Sequence, residues 1–338
     1  MGRKIWCVLG FVCIGCSLAL AGEPRVSIVA QESWADFWGG KEILFHFAVS
    51  SDQAMTGRVG WRFSCGDHTL ARQEQEIAPG LGKTEILEIR VQMPVVKEGV
   101  ILPAVLGVSM METGAEKSVA SVEKKIWIYP ENTFVDRKEW LKKLDIRLFD
   151  PEKKTGECFE KAGIPFQRVN NCEALSEMKD GIIIVGEGVT FNDFKGLSGT
   201  LFKAAARGVP VLCLAPPGGT LSLPGIGESE LPCPQSTSFH RNDIISRLDK
   251  RLDADAWPPD GVIAGTTMAI KSMRGAVVGE VEKGHKEWSW LEMTFDNPKG
   301  KFILCHFAII EKWESGPAPR FLLAKILEYL TSSQQAKE

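Results

Sequence analysis

The sequence predicts two successive folded units. The first is an all-β sandwich of immunoglobulin or fibronectin type over residues 22–130. The second, over 131–332, is an α/β doubly wound, mostly parallel sheet. Three observations predict this: six or seven short β-rich runs separated by turn residues, a change of pattern at Tyr129-Pro130-Glu131-Asn132, and alternating strand-like and helix-like segments after it.

Before the sandwich comes an export signal. Arg3 and Lys4 supply a positive start, Ile5 to Leu20 is almost wholly apolar, and Ala19-Leu20-Ala21 supplies the small-x-small cleavage pattern. The expected signal peptide is 1–21, with the mature chain starting at Gly22 in the periplasm or outside the cell. A lipoprotein reading uses Cys16, but Cys13 stands where such signals carry a leucine-like residue. No later run approaches transmembrane length, so no membrane span is expected after cleavage.

The strands of the first unit are read at Arg25–Ala30, Glu42–Val49, Gly60–Ser64, Lys83–Met93, Val100–Met110 and Ser118–Tyr129. They are rich in β-branched and aromatic residues, with turns such as Cys65-Gly66-Asp67 and Ala78-Pro79-Gly80 between them. In the second unit, Leu144–Phe149, Phe166–Val169, Gly181–Val185 and Val209–Leu214 read as buried strands. Helices are expected at Lys153–Ala162, stopped by Gly163, and at Phe191–Arg207, stopped by Gly208. A further helix is expected over Asn242–Ala254. Strands follow at Ile270–Val281, Trp288–Phe295 and Lys301–Ile310, then a closing helix at Pro319–Leu330 and a polar tail over 333–338.

Of 338 residues, 44% are hydrophobic and 25% charged, which suits a packed core, and the formal net charge is −3. With no basic surplus, nucleic acid is not an expected partner. Six cysteines remain after cleavage: Cys65, Cys158, Cys172, Cys213, Cys233 and Cys305. None is spaced for metal ligation, the histidines are scattered, and neither a metal nor a cofactor is expected. There is no G-x-S-x-G and no phosphate loop.

The runs Gly181-Ile-Ile-Ile-Val-Gly-Glu-Gly188, Gly208-Val-Pro-Val-Leu-Cys-Leu-Ala215, Gly300-Lys-Phe-Ile-Leu-Cys-His306 and Pro319–Leu330 resemble class I glutamine-amidotransferase-like domains. The likeness is to the degenerate kind that accompanies bacterial β-galactosidase-type and other sugar-processing proteins. The resemblance implies a nucleophile at position 215, which here is Ala215, followed by Pro216 and Pro217. Alanine has no thiol, and proline has no N–H to donate to an oxyanion. His306 could match the family's histidine, but the acid two residues on is replaced by Ala308. Catalytic residues of that type are therefore absent, and the expected protein is a non-catalytic binding or accessory one associated with carbohydrate or glycan.

The expected ligand cleft lies at the carboxyl ends of the strands. It would hold Glu187 and Gly188, the turn Pro217-Gly218-Gly219, and His306. Glu187 reads equally as an exposed turn residue. Trp288, Trp290 and Glu292 alternate, so they share one strand face. They read as a sugar-stacking surface with a carboxylate for hydroxyls, or as core packing. Glu311 is grouped with them. The charged run Asp249–Trp257 reads as a solvated helix face or as paired acids. Two alternatives remain: a glycoside hydrolase using Glu187, Glu311 or Asp255 with carboxyls roughly 5–10 Å apart, and a structural module docking to an envelope protein.

Overall fold

Alternation of apolar and polar residues builds the first unit: β1 (Val26–Ala30), β2 (Asp36–Trp38), β3 (Glu42–Ser51), β4 (Gly57–Cys65), β5 (His68–Ile77), β6 (Thr84–Gln92), β7 (Leu102–Glu112) and β8 (Ser118–Tyr129). In this computed structural model the described residues are 25–115, 117–225, 230–253, 257, 268–272, 277–281, 288–297 and 300–335. The expected signal peptide, Cys16 and Asp255 lie outside them.

Strands β1, β3 and β6 form an antiparallel sheet. The second sheet runs β2-β8-β7-β4-β5, antiparallel except for the parallel pair β2–β8. Every second residue points between the sheets. Phe45, Phe47 and Ile89 from one sheet meet Val59, Phe63 and Leu106 from the other in a shared core. Glu32 and Lys124 are buried here too: the Lys124 ammonium donates to the Glu32 carbonyl at 2.7 Å, and the Glu32 carboxylate accepts from His46 Nδ1 at 2.6 Å.

After the sandwich come α1 (Lys138–Lys143), β9 (Ile146–Phe149), α2 (Lys154–Ala162), β10 (Gln167–Val169), α3 (Cys172–Ser176), β11 (Ile182–Val185), α4 (Leu197–Ala206) and β12 (Val211–Leu214). Next are β13 (Thr220–Ser222), β14 (Ser236–His240), α5 (Ile244–Leu248), β15 (Met268–Lys271), β16 (Val277–Val281), β17 (Trp290–Thr294), β18 (Lys301–Cys305) and α6 (Pro317–Gln335).

The predicted doubly wound α/β class is overturned. Among the described residues 39% are strand against 21% helix, and the sheets are antiparallel or mixed. The seven-stranded sheet has the order β10-β9-β11-β12-β18-β17-β14. Its first five strands are parallel, but β17 and β14 run antiparallel at one side. A separate sheet, β13-β15-β16, is also mixed. The reason lies in the short connection between β17 and β18, which only antiparallel neighbours can share, and β14 then adds antiparallel to β17.

Two apolar clusters cover the seven-stranded sheet. One gathers Ile182, Ile184, Leu212 and Leu214 under α2 and α6; the other gathers Ile183, Val185, Val211 and Cys213 under α3 and α4. Neighbouring strand residues thus feed opposite faces, which explains why β11 and β12 are apolar throughout.

The sandwich joins the second unit through β2, β8 and α6. Tyr129 and Phe321 meet edge to face at 5.3 Å. The Arg320 guanidinium lies 4.8 Å from the Trp38 ring and 5.4 Å from Trp313. Trp38 and Tyr129 belong to the same apolar cluster as the buried face of α6, so the seam is continuous with a core.

Candidate functional site

At the carboxyl ends of β11, β12 and β18 the chain is closely bonded to itself. Ala215 is buried; its N–H donates to the Cys305 carbonyl at 2.7 Å, and its carbonyl accepts from Gly188 N–H at 3.4 Å. Pro216 beside it is buried, whereas Pro217 and Gly219 are exposed. Gly219 has φ +92°, and an added Cβ would lie 2.8 Å from Asn192 Oδ1, so this turn requires glycine.

The carboxylate of Glu187 is held by backbone. Its two oxygens accept from Ile310 N–H at 2.8 Å and Glu311 N–H at 2.7 Å, while its own N–H donates to Thr155 Oγ1 at 3.0 Å. Burial pushes its pKa up to about 7; the backbone donors oppose this, and the Glu311 charge adds to it. Glu311 itself is exposed. Glu187 therefore ties the β11 turn to the segment after β18, which absorbs the hydrogen-bonding capacity a ligand would need.

His306 does not face the expected cleft. It is fully buried, its ring meets Trp288 edge to face at 5.0 Å, and neither ring nitrogen has a hydrogen-bond partner. Burial lowers its pKa to about 3, so the imidazole is neutral. The expected grouping of Glu187, Gly188, Pro217–Gly219 and His306 around one open cleft is corrected accordingly: the histidine is core and the glutamate is a backbone clamp.

Trp288, Trp290 and Glu292 do not share one face. Ser289 interrupts the alternation: its N–H donates to the His240 carbonyl and its carbonyl accepts from His306 N–H, both at 2.9 Å. Trp288 packs in the cluster with Leu291 and Met293, while Trp290 joins the cluster of α6. Trp288 is 6% and Trp290 0% exposed, so neither indole presents a stacking face.

Glu292 does border a cleft. Between α5, α6 and β17 lies a recess of about 470 Å³ whose walls include His240, Arg247, Glu292, Lys325 and Tyr329. The Tyr329 hydroxyl donates to the Glu292 carboxylate, 2.9 and 3.0 Å from its two oxygens, and Trp290 Nε1 lies 3.4 Å away. Lys301 Nζ is 3.9 Å from Glu292 and 3.9 Å from the Tyr329 ring centroid. Burial and the Glu292 charge push the Tyr329 pKa well above its ordinary value. Lys325 bridges Asp249 at 3.5 Å and Glu328 at 2.8 Å.

Sequence reasoning found Glu292 but missed Tyr329, Lys301 and Lys325. Tyr329 sits in the apolar register of the closing helix and reads as core; only its hydroxyl distinguishes it from a buried phenylalanine. The Asp249 run is not a long helix: α5 ends at Leu248, and Asp249 turns back to accept from Arg251 N–H at 3.0 Å and from its guanidinium. Among the described residues, no group of three or more His, Cys, Asp or Glu converges to hold a metal ion. Nor is any described helix long and apolar enough to cross a membrane.

No protein-family model matches the chain, and no curated protein matches it. Solved structures are similar only in part. The CARDB domain of a Pyrococcus furiosus protein, crystallised with di-metal ions, is 9% identical over 32% of this chain and 94% of that one, with a TM-score of 0.23. A Paenibacillus cycloisomaltooligosaccharide glucanotransferase is 12% identical over 91% of this chain and 36% of its own length, with a TM-score of 0.26. The β-glucuronidase of Parabacteroides merdae is 12% identical over 60% and 26%, with a TM-score of 0.23. The chain thus spans about a third and a quarter of the two enzymes, and likenesses at these scores carry no functional argument.

Proposed function

We propose that the chain is an exported, non-catalytic binding or accessory protein that takes a carbohydrate in the recess between α5, α6 and β17. One observation carries the ligand: the nearly buried Glu292 carboxylate, fixed by the Tyr329 hydroxyl at 2.9 Å, with Lys301 and Lys325 close by. Sugar hydroxyls both donate and accept, and a recess offering a carboxylate, a phenol, the Lys325 ammonium and the Arg247 guanidinium suits them. Support for the absence of acyl-transfer chemistry is Ala215 followed by Pro216, which supplies neither a nucleophile nor an oxyanion donor. Support for export is the Arg3-Lys4 start and the apolar run behind it.

The test is glycan-array screening of the mature chain, followed by calorimetric titration of any glycan bound. Glu292→Ala and Tyr329→Phe should each weaken binding about tenfold or more. Absence of glycan binding by the wild type, or undiminished binding by both variants, would defeat the reading.

A further inference from the structure

Two locally unfavourable choices meet on the outer face of the five-stranded sheet of the sandwich. The first is charge. Arg62 of β4 and Arg72 of β5 stand directly opposite each other, and like charges in that relation destabilise a strand pair. Both are exposed, and among the described residues neither has a side-chain hydrogen bond or ion pair. The nearby Arg58, by contrast, is 3.6 Å from Glu74.

The second is glycine inside strands. Gly60 and Gly107 occupy the interiors of β4 and β7, where glycine weakens a strand. Neither has a positive φ. A Cβ on Gly107 would meet nothing closer than the Arg62 carbonyl at 3.9 Å, and one on Gly60 the flexible Glu74 side chain at 3.4 Å and Ser109 Oγ at 4.0 Å. Neither backbone conformation nor packing requires them. What they do is open a floor. Gly60 pairs with Ser109, which pairs with Ser121; Gly107 lies between Arg62 and Glu123. The resulting groove has a volume of about 950 Å³.

We infer that this groove is a binding site for a carboxylate-bearing oligosaccharide, separate from the recess beside Tyr329. The unpaired Arg62 and Arg72 offer forked donors that match a carboxylate. Ser109 and Ser121 supply hydroxyls along the wall, and the Glu74 and Glu123 carboxylates beside them accept from sugar hydroxyls. Trp61 points into the core and is only 8% exposed, so its indole is not offered on the floor. A ligand removes the Arg–Arg repulsion and fills the space over the glycines, which accounts for both costs at once.

The test uses the mature chain and tetragalacturonate, with its methyl ester and tetraglutamate as comparisons. Tetragalacturonate should bind, the ester at least about tenfold more weakly, and Arg62→Ala and Arg72→Ala should each lose about tenfold or more. Gly107→Val is the discriminating variant: it should melt at the same or a higher temperature yet lose binding. Arg90→Glu, on the other sheet, should bind as the wild type does, and the losses in Arg62→Ala and Arg72→Ala keep this site distinct from the recess. The inference is overturned if tetragalacturonate does not bind, if the ester or tetraglutamate binds equally well, or if Gly107→Val is folded and binds normally.

Discussion

Asp36 and Tyr129 lie together at the seam between the sandwich and the second unit, on paired strands, with the carboxyl 3% and the phenol 0% exposed. Neither Asp36 Oδ1 nor the Tyr129 hydroxyl has a hydrogen-bond partner of ordinary geometry. Burial pushes the Asp36 pKa from 3.8 up to about 8; the Tyr129 hydroxyl works against this, Asp253 and Asp249 add to it, and Arg251 opposes it. The acid is therefore neutral at pH 7, and the seam contains an uncharged carboxyl.

This group makes its own contribution to the pH dependence of stability. Below about 4 the group is neutral in both folded and unfolded chains. From 3.8 to about 8 the unfolded chain releases the proton first, so the folded chain loses stability as pH rises; above about 8 the penalty is constant. Asp36→Asn should match the wild type at acid pH and exceed it by a growing margin up to pH 8, on the order of 3–6 kcal/mol. Urea unfolding at pH 5, 7 and 9 measures the margin, and a margin that does not change with pH would refute the raised pKa.

Placing a thiol at position 215 should not create glutaminase chemistry. Ala215→Cys would place sulfur beside Pro216, which lacks the required N–H, and His306 has no path to it as a base in its buried position. Ammonia release from glutamine should stay at the background rate. Release above it would show that the turn can form an oxyanion site.

Trp38→Ala should loosen the seam. The indole is 9% exposed and covers the Arg320 guanidinium, which also stacks on Trp313. Loss of a buried tryptophan costs about 3–5 kcal/mol. Calorimetry should show the sandwich and the second unit melting apart in the variant. An unchanged melting profile would mean that the indole contributes little to the junction.

Most long strands were legible, because their apolar alternation reports which side faces a core. Glu42–Val49, Lys83–Met93 and Ser118–Tyr129 correspond to β3, β6 and β8 with small changes at the ends. Gly163 does stop α2, with φ +71°. Elements without that signal were not found: β2 is three residues long, and β5 and β14 are polar along most of their length. The expected helix over Phe191–Arg207 is broken, because Gly196 at φ +84° lets the chain turn before α4 begins at Leu197. The site was harder still. Glu187 and His306 are conspicuous residue types at conspicuous places, but type does not tell whether a carboxylate faces water or backbone, or whether an imidazole lies inside. Those facts depend on partners distant in sequence, Ile310 and Trp288 among them.

The polarity that hid β5 also governs how molecules of this protein meet. This ten-residue strand forms the outer margin of its sheet, and such a margin offers unpaired backbone groups to any neighbouring chain. Along His68–Ile77 the side chains include Arg72, Glu74 and Glu76, so a second copy adding its own strand here would have to strip these charges of water. The margin is thereby guarded against polymer growth, and replacing those charges with valines would turn it into a nucleus for aggregation.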